Sequence, residues 1–394
     1  MRFLATCKLG LESTVARQLR QLGIDVERTE DARVSFLGGY AEMARALLWL
    51  RTAERLLLEV GNFRATSFTE LFDGVRALDW KPYLSRDARI HVNGKSAKSG
   101  LFSVSDCQSI VKKAIVENLK AAYHATTIPE TGAEVIVEVG MLRDVATLAL
   151  DCCGAGLARR GYRTYNVAAP LSETLGAAIV DLSRYRAEQP LIDPMCGSGT
   201  MPIEAAMLAE NRAPGLLRAF AAEQWPFVPP SVWTQAREEA RDGIRPARLE
   251  ILGCDIDPRC IELCKRHAKK AGVKVDWVVR PLAELADART GGVLVCNPPY
   301  GERLLDPRAA EGLYRQMRER FDRLDGWSVH IITGYRDFER VYGRRADKRR
   351  KLSNGGMPCC LYQYFKGQAQ PSRCAAVSKD ARHRAKRTGK ERTT

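Results

Sequence analysis

At 394 residues the chain is long enough for two or three domains with substantial cores, and its 45% hydrophobic and 28% charged side chains are ordinary for a soluble globular protein. No apolar run reaches bilayer length, and residues 1–8 are too short and too soon charged for a secretory signal. The net charge of +15 is concentrated late: residues 343–352 hold six basic side chains and one acid, and residues 371–394 hold eight and two, which suits a phosphate backbone.

Residues 2–7 read as a strand, residues 11–22 as an amphipathic helix closed by Gly23, and residues 25–37 as a strand pair. A helix over 41–49 and an extended run over 55–63 complete a β-α-β-β-α-β order, which predicts a small ferredoxin-like unit. Strand-like alternation at 83–92 and 133–150 brackets a helix over 104–123, a second α+β unit within 65–155. Neither contains a constellation with obvious chemistry, so binding or positioning is the economical reading. A junction rich in Gly and Arg, residues 154–169, precedes a change to alternating strand and helix. A helix over 172–185 leads to a strand end at Pro190-Leu191-Ile192, and an insertion with Pro and Trp occupies 211–248. Strands follow at 249–253, 275–279, 293–296 and 327–333, and residues 351–365 form a closing hairpin turned on Asn354-Gly355-Gly356. This pattern predicts a doubly wound α/β sheet, parallel with an antiparallel end.

Two loops at strand ends carry the chemistry. Asp193-Pro194-Met195-Cys196-Gly197-Ser198-Gly199-Thr200 is a strand–turn–helix in which Gly197 and Gly199 let the backbone approach a ligand and aim amides at it. The third glycine of the dinucleotide fingerprint is missing, and no Gly-Lys-Ser/Thr follows, so nicotinamide and P-loop readings lose ground. Asp193 suits the ammonium of a methionine moiety. Asp255, directly after an apolar strand, is the preferred acceptor for ribose hydroxyls; Asp257 also stands, and capping the helix near Pro258 is the structural alternative for either. The second loop is Cys296-Asn297-Pro298-Pro299-Tyr300-Gly301-Glu302-Arg303. An exocyclic amine is a poor nucleophile because its lone pair is delocalised. The Asn297 oxygen and the Pro298 carbonyl can bind its two hydrogens and favour a pyramidal nitrogen, the Pro298-Pro299 step fixes the carbonyls, and Tyr300 can stack on an extruded base. Glu302 and Arg303 either brace the loop or touch substrate phosphate. The twelve cysteines lack paired metal-ligand spacing, so they read as free thiols of a reducing cytoplasm, with no metal.

Taken together, these motifs resemble the THUMP-containing, S-adenosylmethionine-dependent RNA guanine-N2 methyltransferases, most closely the bacterial 23S ribosomal RNA type. The likeness covers nearly the whole chain and includes Arg160-Gly161-Tyr162-Arg163, both loops and the Asn354-Gly355 hairpin. It implies a Rossmann-like class I methyltransferase domain with a mostly parallel seven-stranded sheet at 156–367. Ferredoxin-like and THUMP domains would precede it at 1–64 and 65–155, and a basic tail at 368–394 would follow. Asn297, Pro298, Pro299 and Tyr300 would meet the target amine. Asp193, Pro194, Cys196, Gly197, Gly199, Thr200, Asp255 and Asp257 would surround S-adenosyl-L-methionine. Arg160, Arg163, Glu302 and Arg303 would touch RNA. One departure concerns the acid that such enzymes carry for the adenine amino group. Arg280-Pro281-Leu282 fills its place, which leaves Glu284, a backbone group or a weaker contact. The expected protein is a stand-alone, monomeric, cytoplasmic enzyme with no membrane partner that methylates guanosine N2 in 23S ribosomal RNA. The alternatives are the same chemistry on transfer RNA, and a non-catalytic RNA-binding assembly factor.

Overall fold

The computed structural model describes residues 1–163, 171–299 and 307–365. Tyr300, Glu302, Arg303 and the basic segment 368–394 lie outside the described residues. Strands β1 (Arg2–Cys7), β2 (Val26–Glu30), β3 (Arg33–Leu37), β4 (Ala53–Arg64), β5 (Arg89–Ala97), β6 (Glu134–Leu142) and β7 (Val145–Asp151) form one sheet in the order β2-β3-β1-β4-β7-β6-β5. The two N-terminal units read from sequence therefore share a continuous sheet. The reason is the twelve-residue β4, which pairs antiparallel with β1 on one side and with β7 on the other. Alternation along β1, β6 and β7 buries one face, including Phe3, Ala5, Val137, Val139 and Leu148. The β5 strand starts later than residue 83, because Tyr83 sits in a turn whose amide bonds the Trp80 carbonyl.

The second sheet contains β8 (Leu191–Asp193), β9 (Ile251–Asp255), β10 (Asp276–Val279), β11 (Val293–Cys296), β12 (Ser328–Thr333), β13 (Lys348–Asn354) and β14 (Met357–Tyr364). Its order is β10-β9-β8-β11-β12-β14-β13, with the first five parallel and β14 and β13 antiparallel. This is the doubly wound, mostly parallel seven-stranded sheet predicted above. The central strands β8, β11 and β12 are buried throughout, as a sheet covered on both faces requires. β8 pairs with β9 on one side and β11 on the other, so the winding reverses there and opens a crevice at the strands' C-terminal ends.

The insertion at 211–248 joins the two sheets. It carries the helix Pro230–Asp242, and Phe227 packs on Trp225 at 5.2 Å, on Tyr40 at 6.2 Å and on Tyr83 at 5.8 Å. Arg218 gathers the carbonyls of Cys153, Gly156 and Arg159 along the linker. Among the described residues no helix is long and apolar enough to cross a membrane.

Candidate active site

The two loops are about a hundred residues apart in sequence, but they leave the ends of adjacent strands, since Leu191 pairs with Val293 and Ile192 with Leu294. Both open into a cavity of about 1380 Å³. That exceeds the ~300–1,000 Å³ of a usual small-molecule site and leaves room for a cofactor with a second flat ligand.

Asp193, Pro194, Cys196, Gly197, Thr200, Asp255 and Asp257 all border this cavity. Asp193 is 1% exposed; its Oδ1 accepts the Met195 amide at 3.2 Å, while its Oδ2 has no partner. Burial pushes its carboxyl well above the ordinary range. The Asp255 carboxylate accepts the Gly197 amide at 2.9 Å and the Asp257 amide at 3.0 Å, which clasps the glycine turn to the end of β9. With about four acceptor positions on a carboxylate, Asp255 keeps capacity for a hydroxyl. Asp257 caps the helix Pro258–Ala271 through the Arg259 amide at 2.8 Å, as the capping alternative had it, and still lines the cavity rim. The glycine amides differ from expectation: Gly197 N–H donates to Asp255 and Gly199 N–H to the Cys196 carbonyl, so neither is aimed at a ligand. Close approach is what the glycines provide. A Cβ on Gly199 would stand 2.8 Å from Trp277 and 2.9 Å from Cys264, at a φ of +80°. The bond with Cys264 and burial push the Cys196 thiol up, and burial does the same for Cys296. Neither thiol is poised as a nucleophile.

Across the cavity stand Asn297, Pro298 and Pro299. Among the described residues the Asn297 Oδ1 is buried without a hydrogen-bond partner. The Tyr314 hydroxyl lies 3.5 Å from the Pro299 carbonyl and 3.3 Å from Thr333 Oγ1, which steadies the turn.

Three of the residues expected at the site are corrected by their surroundings. Arg160 is 2% exposed. It donates to the Leu157 carbonyl at 2.8 Å and to the Arg51 carbonyl, and it pairs with Glu204 at 3.4 Å. Its guanidinium is an internal tie and has no face for RNA. Arg163 donates to the Leu171 carbonyl at 2.9 Å and to Thr200 Oγ1 at 2.7 Å, and it pairs with Glu173 at 3.3 Å. It therefore holds the cavity wall from behind. Glu284 is exposed and lies off the cavity, which Arg280, Pro281, Leu282 and Ala283 border instead. Sequence reasoning missed Leu313 and Gln316, from the helix Pro307–Phe321, and gave Asn354 and Met357 no place at the site. The Asn-Gly-Gly turn was visible, but nothing local says what it overhangs.

Residues 160–363 match the family described as the RMKL-like methyltransferase domain, residues 65–151 match the THUMP domain, and residues 2–57 match the RlmL ferredoxin-like domain. A putative RNA methyltransferase, YpsC of Bacillus subtilis, is 42% identical over 94% of this chain and 97% of its own length. This chain belongs to the THUMP-containing RNA methyltransferases. The ribosomal RNA large subunit methyltransferase K/L of Aliivibrio salmonicida is 34% identical over 92% of this methyltransferase, which spans 53% of that longer relative. The crystal structure of SMU.472, a putative methyltransferase complexed with SAH, superposes with a TM-score of 0.88 at 41% identity, over 94% of this chain and 99% of that one. S-adenosylmethionine is the methyl donor, and the residues present fit it: the unpartnered, buried Asp193 Oδ2 faces the need of an ammonium, and the close-packed glycine turn leaves space above β8.

Proposed function

We propose that this enzyme methylates the exocyclic N2 of a guanosine in 23S ribosomal RNA. The observation that carries the reading is the Asn297 Oδ1, a buried acceptor with no partner at the edge of a cavity large enough for two ligands. A buried amide oxygen left unpaired costs free energy until a donor reaches it, and an NH2 group is such a donor. The large-subunit substrate rests on the name of the Aliivibrio relative and on the basic residues 343–352.

When bound, S-adenosylmethionine supplies a methyl group activated by its sulfonium. Asp193 would hold the ammonium of its methionine part, and Asp255 and Asp257 the ribose hydroxyls. Asn297 Oδ1 and the Pro298 carbonyl would accept the two N2 hydrogens and draw the nitrogen lone pair out of conjugation. The nitrogen would form its bond to the methyl carbon with that lone pair as the methyl–sulfur bond breaks, the electron pair of that bond leaving on the sulfur of S-adenosylhomocysteine, and would afterwards release one proton to water. This is positioning and preorganised electrostatics, with no covalent enzyme intermediate.

The test is to incubate the purified chain with methyl-labelled cofactor and undermethylated cellular RNA, separate the size classes, and digest to nucleosides. Label in 23S RNA as N2-methylguanosine is expected. Label confined to transfer RNA would move the substrate, label on adenine N6 would change the chemistry, and label in no RNA would end the reading. Asn297→Ala should cut turnover at least ~100-fold while RNA affinity, measured by filter binding, is retained.

A further inference from the structure

The β13–β14 hairpin is a part of the cavity wall to which the reaction above gives no task. Its register explains its reach. Ile331 pairs with Cys296 on one side and with Tyr362 on the other, so Cys296 and Tyr362 stand level across β12. Met357 lies five residues beyond Tyr362 along a strand antiparallel to β12, so the turn overhangs the C-terminal edge by roughly 16 Å at about 3.3 Å per residue. The turn is short and stiff: Asn354 pairs with Met357, and Gly355 and Gly356 take φ of +55° and +85°, as a two-residue type I′ turn demands.

The strand order divides the cavity. Asp193, Gly197, Asp255 and Arg280 belong to the ends of β8, β9 and β10, on one side of β11. Asn354 and Met357 belong to β13 and β14, on the other side. Asn297, at the end of β11, stands between them, so the half beyond it is left for the base. Asn354 is 6% exposed and borders the cavity. A largely buried side-chain amide on the substrate side of Asn297 offers a ligand one donor and one acceptor together.

We propose that Asn354 is a specificity-determining residue that reads the ring edge of the target guanine, donating to O6 and accepting from N1–H while Asn297 holds the 2-amino group. The inference rests on the guanine-N2 reading and deepens it. Guanine presents O6, N1–H and the 2-amino group in one row, and one planar amide can serve the first two. The neighbouring Met357 gives the same wall an apolar side chain to lie against a flat ring.

A thermodynamic cycle tests this. The substrates are an RNA fragment with the mapped guanosine and the same fragment with 2-aminopurine there, which keeps the 2-amino group but lacks O6 and N1–H. Wild type, Asn354→Ala and the near-isosteric Asn354→Asp are compared by kcat/KM on each fragment, with S-adenosylhomocysteine affinity measured by calorimetry. Each variant should lose ~10–100-fold on guanosine and little on 2-aminopurine, because the contact is already absent there, with S-adenosylhomocysteine affinity unchanged. Equal fold-losses on both fragments, or a matching loss of S-adenosylhomocysteine affinity, would overturn the assignment. A wild-type chain that placed no methyl on guanosine N2 would instead remove the proposed function, and this inference with it.

Discussion

Asp193 is a side chain whose burial is costly in the free protein. Its buried carboxyl has one oxygen without a partner, and its pKa is raised by burial. An acid shifted this way binds its proton more tightly folded than unfolded. The stability it lends is full below the ordinary carboxylate range, about 4, and is lost as pH rises toward the raised value. Asp193→Asn should therefore raise the unfolding temperature of the ligand-free protein at neutral pH and flatten that part of the pH dependence. It should also weaken S-adenosylhomocysteine binding by ~10-fold or more, the worth of a charged hydrogen bond. Fluorimetric melting across pH and calorimetry at neutral pH measure the two effects. Undiminished affinity in the variant would remove Asp193 from the ammonium.

The glycine turn after β8 distinguishes two uses of one residue type. Gly197, at φ +52°, has nothing within 4 Å of an added Cβ, so only backbone strain opposes a side chain there. Gly199, at φ +80°, would also drive a Cβ into Trp277 of β10 and Cys264 of the helix Pro258–Ala271. Gly199→Ala should cost ~2–4 kcal/mol from strain and overpacking together, and Gly197→Ala ~1–2 kcal/mol. Urea unfolding of the two variants checks the order, and equal costs would mean the packing around Trp277 yields easily. The comparison matters for function because the same packing sets how closely the turn approaches the cavity.

The whole molecule is held at a small buried ionic cluster. Arg160 ties the linker, the Arg51 carbonyl in the bend just before β4 and Glu204 of the helix Thr200–Ala209, and the Tyr162 hydroxyl donates to the same Glu204 at 3.2 Å. Arg51 itself is buried and donates to the Arg212 carbonyl at 2.8 Å; burial lowers its pKa to about 10. Removing one partner of a buried pair leaves the other uncompensated, so Arg160→Ala should lose ~3–5 kcal/mol of stability. The folded fraction should bind RNA as tightly as wild type. Denaturant titration and filter binding separate these effects, and unchanged stability with lost RNA affinity would return Arg160 to the substrate. The cluster, with the aromatic packing of Phe227, sets the N-terminal sheet against the catalytic one.

Much of this was legible because it is written in short windows. The apolar runs ending at Asp193, Asp255 and Asn297, each followed by a turn, are enough to predict a doubly wound sheet and the edge where ligands sit. The motif residues were legible for the same reason, since a strand end and its turn are neighbours in sequence. Arg160 could not be placed this way. A basic residue in a Gly- and Arg-rich junction looks like a surface charge until its partners, 44 and 109 residues distant, close around it. Nor could the merging of two small units into one sheet, which depends on β4 serving both neighbours, or the position of Asn354 over the cavity, which depends on register summed across β11, β12 and β14. Local pattern determined the strands and their loops, while burial and register, being sums over distant contacts, were decided only by the tertiary structure.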